Sequence, residues 1–314
     1  MNATKLRLVA IALGLLLLVA LPARAGIYYV TAAGLAGEPD YEQEFTQLST
    51  DLDKLLKSTG PDAHVFTLTD ATRANLTNVL GQVAGEAKPG DDFVLILIGH
   101  GTFDGFQYKF NLVGPDITAR ELAQLCDQIR SKRQLIVNTT EASGGSVAAL
   151  RRPGRAVISA TKDGNEKNAT MFARYFIQAL HDPQADLDKN SAVSAMEAFD
   201  YAQRHTADFY DSQKRLATEH AVFEDTGEHD PTRAPENETG EGLFLSNFTL
   251  IRLGAAQKAY NDPAKRALLS QKEDLERKID TLKYRKAAMS QDDYKQQLTQ
   301  ALLDLAKVEE QLEK

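Results

Sequence analysis

The run FVLILI, inside DDFVLILIGHG (91–101), constrains the fold more than any other stretch of this chain. Its unbroken apolar residues leave no side for water, so a strand here is buried on both faces and lies in the middle of a sheet. GIYYVTA (26–32) and AHVFTLT (63–69) are also β-rich, and each precedes an amphipathic run. In DYEQEFTQLSTDLDKLLKS (40–58), Phe45, Leu48, Leu52, Leu55 and Leu56 recur at helical spacing; DATRANLTNVLGQVAG (70–85) follows suit, with Asp70 or Thr72 as its cap. The pattern continues with helix TARELAQLCDQIRS (118–131) and strands QLIVNTT (134–140) and GRAVISAT (154–161). Then come helix NATMFARYFIQAL (168–180), a long helix from about Ser191 to Lys214, and a last strand within LFLSNFTLIRLG (243–254). Short strand–helix units of this kind predict an α/β sandwich of three layers, a mostly parallel sheet with helices on both faces. Ligands in such sheets gather beyond the carboxyl ends of the strands. Three strand ends are therefore the places to look: GHG (99–101), TTEASGG (139–145) and SATKDGNEKN (159–168).

The two ends of the chain read differently. MNATKLR supplies two positive charges, Leu8–Leu21 is almost wholly apolar, and Ala23-Arg24-Ala25 matches a small-x-small cleavage site. Residues 1–25 thus read as a secretory signal with Gly26 first in the mature chain; the alternative is an uncleaved anchor, for which the apolar run is short of the ~20 residues a span needs. An exported protein, periplasmic or secreted, follows, with no membrane segment after cleavage. Residues 26–254 form the α/β domain, and 255–314 turn Gly-free and charged. There Leu268, Leu275, Ile279 and Leu282, and later Leu298, Leu302, Leu305, Val308 and Leu312, recur at spacings of three, four and seven. That predicts a helical hairpin, packed as an antiparallel coiled coil or against the domain and suited to self-association. A net charge of −8 argues against nucleic acid as a partner.

GHG carries the first chemistry. A His between two glycines at the end of a buried strand stands above the sheet, and the Gly101 N–H is free to face an oxyanion; a structural His satisfied by neighbours is the other reading. GHGTFDG, a following strand end with SGG, and SATKDGNEKNATMFARYF together resemble the legumain- and caspase-related cysteine peptidases, most nearly the bacterial legumain-like proteins, over residues 27–253. DKNSAVSAMEAFDYAQ and LATEHAVFED extend the resemblance. It implies a caspase-like three-layer sandwich and a catalytic dyad of His and Cys on neighbouring strand ends. His100 matches the His, and Gly101 the oxyanion donor. The Cys has no match. Aligning the Ser-Gly pair puts Glu141 in the nucleophile position, whereas aligning Glu-Ala-Cys with EAS puts Ser143 there.

The one cysteine, Cys126, cannot substitute, because ELAQLCDQI places it on the apolar face of a helix with Leu122, Leu125 and Ile129. A carboxylate is a poor amide nucleophile; beside His100 it would raise the imidazole pKa and remove the base. Three functions stay open: a pseudopeptidase that binds a peptide or protein through a degenerate cleft or scaffolds through the hairpin, a hydrolase using Ser143 with His100 as base, and a purely structural assembly protein. No cofactor is required by any of them.

Beyond the dyad, Lys162, Asp163 and Glu166 lie on the strand-end face as candidates for polar contacts to a bound peptide, or as a solvated loop. Asp186, Asp188, Asn190 and Glu197 stand at positions 1, 3, 5 and 12 of an EF-hand-like loop, with Val193 at position 8, which makes Ca2+ a candidate ligand. Ser191 at position 6 replaces the usual Gly; the other reading has Ser191 or Asn190 capping the next helix. EDTGEHDPTRAPENETGEG (224–242) reads as a mobile loop, and His220 and His229 lack zinc-ligand spacing.

Overall fold

The run that dominates the sequence forms β3 (Asp92–Ile98), whose residues Phe93 to Ile98 are all buried. It pairs in parallel with β1 (Ile27–Ala33) on one side and β7 (Arg133–Asn138) on the other. The computed structural model describes residues 25–236 and 239–313; the leader expected over 1–25 lies outside the described residues except for Ala25. With β2 (Ala63–Leu68), β8 (Arg155–Ser159) and β10 (Val222–Glu224), the strands form one sheet in the order β10-β8-β7-β3-β1-β2. Only β10, at the edge, runs antiparallel.

Each face of this sheet is covered by helices. One face buries Tyr29, Val94, Ile96 and Val137 against α1 (Pro39–Lys57), through Leu52 and Leu56, and also against α5 (Phe172–Ala179) and α6 (Ala195–Ser212). The other buries Val30, Phe93, Leu95 and Ile136 against α2 (Arg73–Glu86) and α3 (Ala119–Asp127), with short α4 (Val147–Leu150) beside them. The chain leaves β1 through α1 on one face to reach β2, then crosses through α2 on the other face to reach β3. That reversal makes the carboxyl ends of β1 and β3 a topological switch point, where doubly wound sheets open a crevice. Directly after β3 the chain folds into a small antiparallel sheet, β4 (Gly101–Phe103), β5 (Tyr108–Phe110) and β6 (Ile117–Thr118), beside that crevice.

Several boundaries depart from expectation. The long helix expected from Ser191 begins only at Ala195, because residues 192–194 form β9 (Ala192–Ser194), antiparallel to β11 (Thr249–Arg252). Accordingly Ser194, not Ser191 or Asn190, caps α6, in a reciprocal capping box with Glu197. Residues 243–246, expected in the last strand, form α7 (Leu243–Ser246) instead. The helix expected over 168–180 starts at Phe172, since residues 161–171 make the turn at the strand-end face. The acidic stretch after β10, expected to be mobile, is tied down in part: Glu224 Oε1 accepts from Thr226, Gly227 and Glu228 N–H, and Phe223 and Thr232 exchange backbone hydrogen bonds.

The C-terminal segment forms α8 (Gly254–Asn261), then α9 (Pro263–Tyr284) and α10 (Gln291–Glu313) side by side, with Ile279, Leu282, Ala301 and Val308 buried. Lys265 Nζ donates to the Leu312 carbonyl at 2.7 Å, so α9 and α10 run antiparallel. Ala301 takes the seam position expected for Leu302, which is exposed. α9 also docks on the domain: Arg252 grips Glu273 with two hydrogen bonds of 2.6 and 2.9 Å, and Lys272 Nζ reaches the Asn190 carbonyl. Among the described residues no helix is long and apolar enough to cross a membrane.

Candidate functional site

The ends of β3 and β7 set the site. Gly99 follows β3 with φ of +142°, and its α-carbon faces the Gly34 backbone so closely that a side chain there would meet Gly34 at about 3.2 Å. Only glycine reaches that conformation without strain while packing so tightly. The turn delivers His100 to the crevice. β7 ends at Asn138, and Thr139–Glu141 leads through Ala142, left-handed at φ of 55°, into a short 3-10 turn over Ser143–Ser146.

His100 is engaged at both ring nitrogens. Nδ1 lies 2.8 Å from Glu141 Oε1, and Nε2 lies 3.1 Å from the Ala36 carbonyl oxygen. The Ala36 carbonyl can only accept, and so can Glu141 when ionised, so with an ionised Glu141 both bonds form together only on a doubly protonated ring. The Glu141 hydrogen bond accordingly raises the His100 pKa above its usual range, with burial opposing it. Tyr41 and Phe45 of α1 meet the ring edge-on, with centroids 4.8 and 5.2 Å away. What space is left above His100 amounts to about 20 Å³, lined by Tyr41, Phe45, Thr139 and Glu141 among others. That is room for one water, not for a substrate residue.

Ser143 is elsewhere. It is fully buried, its Oγ lies 2.9 Å from Ser159 Oγ and 3.2 Å from Thr161 Oγ1, and it accepts from the Thr161 N–H. The expected alternative in which Ser143 meets His100 is therefore not formed: the hydroxyl belongs to a web that ties the β7 turn to the end of β8. Gly101 is buried at the start of β4, and a β-carbon there would lie 2.5 Å from both Thr140 and Tyr108, so those side chains fill the space beside it. Cys126 is buried on α3, and burial pushes its thiol up to about 11.

The remaining predicted residues serve the loops. Glu166 is not available for a bound peptide: Oε1 pairs with His220 Nδ1 at 2.5 Å, and Oε2 accepts from the His220 and Lys162 N–H groups at 3.0 Å each. Asp163 Oδ1 accepts from the Asn165 N–H, closing a turn. Lys162 lies exposed with its ammonium 3.8 Å from Glu166. Glu219, within LATEHAVFED but not a predicted site residue, accepts from the Met171 and Phe172 N–H groups at the start of α5 and from Tyr210; burial pushes it up to about 6.

Of the predicted loop ligands, Asp186, Asp188 and Glu197 come together with one carboxylate oxygen from each within 4.8 Å of the others, a set that can coordinate a divalent cation. Asp186 and Glu197 are buried and Asp188 exposed. Loss of solvation and the neighbouring Glu197 carboxylate push Asp188 up to about 6. Asn190 does not add its oxygen to this trio: the side-chain oxygen accepts from the Ala192 N–H, while the amide and backbone N–H donate to Asp188. Ala36, Tyr41 and Phe45 close over His100; sequence patterns marked only Phe45, and that as part of the apolar face of α1. A backbone carbonyl and two helix aromatics carry no motif.

No protein-family model matches this chain, and no curated protein matches it. Among solved structures, the initiator caspase Dronc of Drosophila is similar over 66% of this chain and 81% of its own, at 12% identity and a TM-score of 0.44. A protein of Geobacter sulfurreducens is similar over 74% of this chain and the whole of its own, at 14% identity and a TM-score of 0.47. Both scores lie below 0.5, and the two likenesses carry no inference about what this chain does.

Proposed function

We propose that this is a pseudopeptidase, a chain with peptidase-like residues at its strand ends that binds a peptide or protein segment without cutting it. The observation that carries this reading is the state of His100, whose two ring nitrogens both face acceptors. A general base needs a lone pair on the reacting side, and an imidazolium clamped between a carboxylate and a carbonyl has none. The nucleophile is missing as well: Glu141 occupies the side facing His100, Ser143 is buried in its own web, and Cys126 is buried on α3. Beside the filled space over His100, a cleft of about 300 Å³ is bounded by hydrogen-bonded backbone, which favours binding over a purely structural role. The leader-like residues 8–21 support export, which carries the protein to partners outside the cytoplasm. The test pairs two measurements on purified protein: a peptide library with an electrophilic peptide probe, and binding of the same library by anisotropy. Binding without cleavage or covalent labelling is the outcome expected. Cleavage that disappears in Ser143→Ala overturns the reading.

A second reading concerns the loop before α6. The convergence of Asp186, Asp188 and Glu197 favours Ca2+ there, in a setting where exported proteins meet ample calcium. Through Asn190 the loop also touches α9, so a cation would stiffen the seat of the hairpin.

A further inference from the structure

Beside the closed space over His100 lies a larger one. Between the ends of β1 and β2, the chain leaves a cleft of about 300 Å³ lined by residues 34–39 together with Glu42, Phe45, Thr46, Thr69, Asp70 and Val113. That volume is at the low end for ligand sites, about right for one long side chain and a little backbone. Its walls are preformed. Gly34 N–H donates to the Ile98 carbonyl, Leu35 N–H to Asn111, Ala71 N–H to Ala33 and Val113 N–H to Ala71, all at 2.8–3.0 Å. His100 holds the remaining wall through the Ala36 carbonyl. The residue in the dyad-like His position therefore shapes this cleft although it has no room for a substrate of its own.

The lining has two characters. Leu35 and Val113, 44% and 41% exposed, are two of the few large apolar side chains left open on the described surface, and Phe45 stands with them. Around them are the carboxylates of Glu38, Glu42 and Asp70, and no Lys, Arg or His lines the cleft. None of these three carboxylates forms a salt bridge among the described residues, whereas Glu121, Asp92 and Glu273 are each matched by an arginine. Glu38 feels the neighbouring His100, but Glu42 and Asp70 form no salt bridge, so apolar wall and acidic rim together call for a group that is aliphatic along its stem and cationic at its tip, which is the form of Lys and Arg. An acidic side chain would be repelled, and a purely apolar one would leave the carboxylates unmatched.

We infer that the cleft between the ends of β1 and β2 receives a Lys or Arg side chain of a bound peptide; this rests on the peptide-binding reading above and names the ligand's chemistry. The test uses the full chain and three fluorescein-labelled hexapeptides that differ only at one central residue, Arg, Gln or Glu. The Arg peptide is expected to bind tightest and to weaken in high salt, since the rim is exposed. Glu38→Gln with Glu42→Gln together should weaken it about tenfold, the sum of two modest surface ion pairs. Leu35→Ser should weaken the Arg and Gln peptides alike, because it removes wall and not charge. Unchanged melting temperatures of both variants keep a folding defect apart from a lost contact. Equal binding of all three peptides overturns the basic-residue site and leaves peptide binding standing. Arg-peptide binding that ignores both variants overturns the location. No binding by any peptide overturns this inference and the reading it rests on.

Discussion

The charge on His100 can be read from stability. Glu141→Gln keeps the shape of the side chain and an acceptor oxygen but removes the negative charge. In the native protein this exchanges a hydrogen bond between two opposite charges for one from the charged ring to a neutral amide oxygen, which loses the Coulomb attraction of the pair and keeps the bond, a difference on the order of 1 kcal/mol. The His100 and Glu141 side chains are 23% and 15% exposed, sheltered enough that solvent does not screen the difference away. The variant should therefore lose about 1 kcal/mol where His100 is charged, which for a chain of this size is about 2–3 °C in Tm. The sign of the pH dependence follows from the direction of the shift. His100 has its pKa raised by the Glu141 hydrogen bond, so the stabilisation is complete below the unfolded imidazole value of ~6.5 and is lost as pH rises through the folded value. The gap between wild type and Glu141→Gln should be widest near pH 5.5 and close toward pH 9. Once neutral, the ring keeps one proton, so it loses one of its two partners, and the 34–38 loop loosens at Ala36. Scanning calorimetry across that pH range measures the gap, and the imidazole proton resonance of His100 reports its titration directly. A gap of constant size from pH 5.5 to 9, or a His100 titrating below the ordinary imidazole range, would refute the claim that the ring is held doubly protonated.

Three further outcomes follow from the same contacts. Ser143→Ala removes a partner of Ser159 and Thr161 and should cost about 1–2 kcal/mol in urea unfolding, with no change in any peptide turnover. Cys126, buried with its thiol pushed up to about 11, should stay silent to Ellman's reagent in the native protein and react only as the chain unfolds; fast native labelling would contradict its place on α3. Titration calorimetry with Ca2+ should show one site that Asp188→Ala abolishes, and identical heats from both proteins would remove calcium from the loop before α6.

The strand–helix alternation, the central position of β3 and the pairing of the last two helices were legible in the sequence, because hydrophobic period and run length report local burial directly; the short α8 that precedes the pair was not. So was the meeting of the GHG and TTEASGG strand ends, since neighbouring parallel strands share one carboxyl edge whatever the residues are. Sequence also narrowed the residue opposite His100 to two and excluded Cys126. It could not choose between Glu141 and Ser143, which stand two residues apart on one turn. The left-handed Ala142 decides that choice by sending Glu141 toward His100 and Ser143 toward Ser159 and Thr161 at the end of β8, and a backbone dihedral of this kind leaves no mark in composition. Likewise β9 was hidden inside a helical pattern, because its partner β11 lies some 55 residues onward and pairing across that distance overrides local propensity. The Ala36 carbonyl over His100, and the acidic cleft beside it, belong wholly to the tertiary structure. They arise where the ends of β1, β2 and β3 and the start of α1 meet, and no single segment contains them.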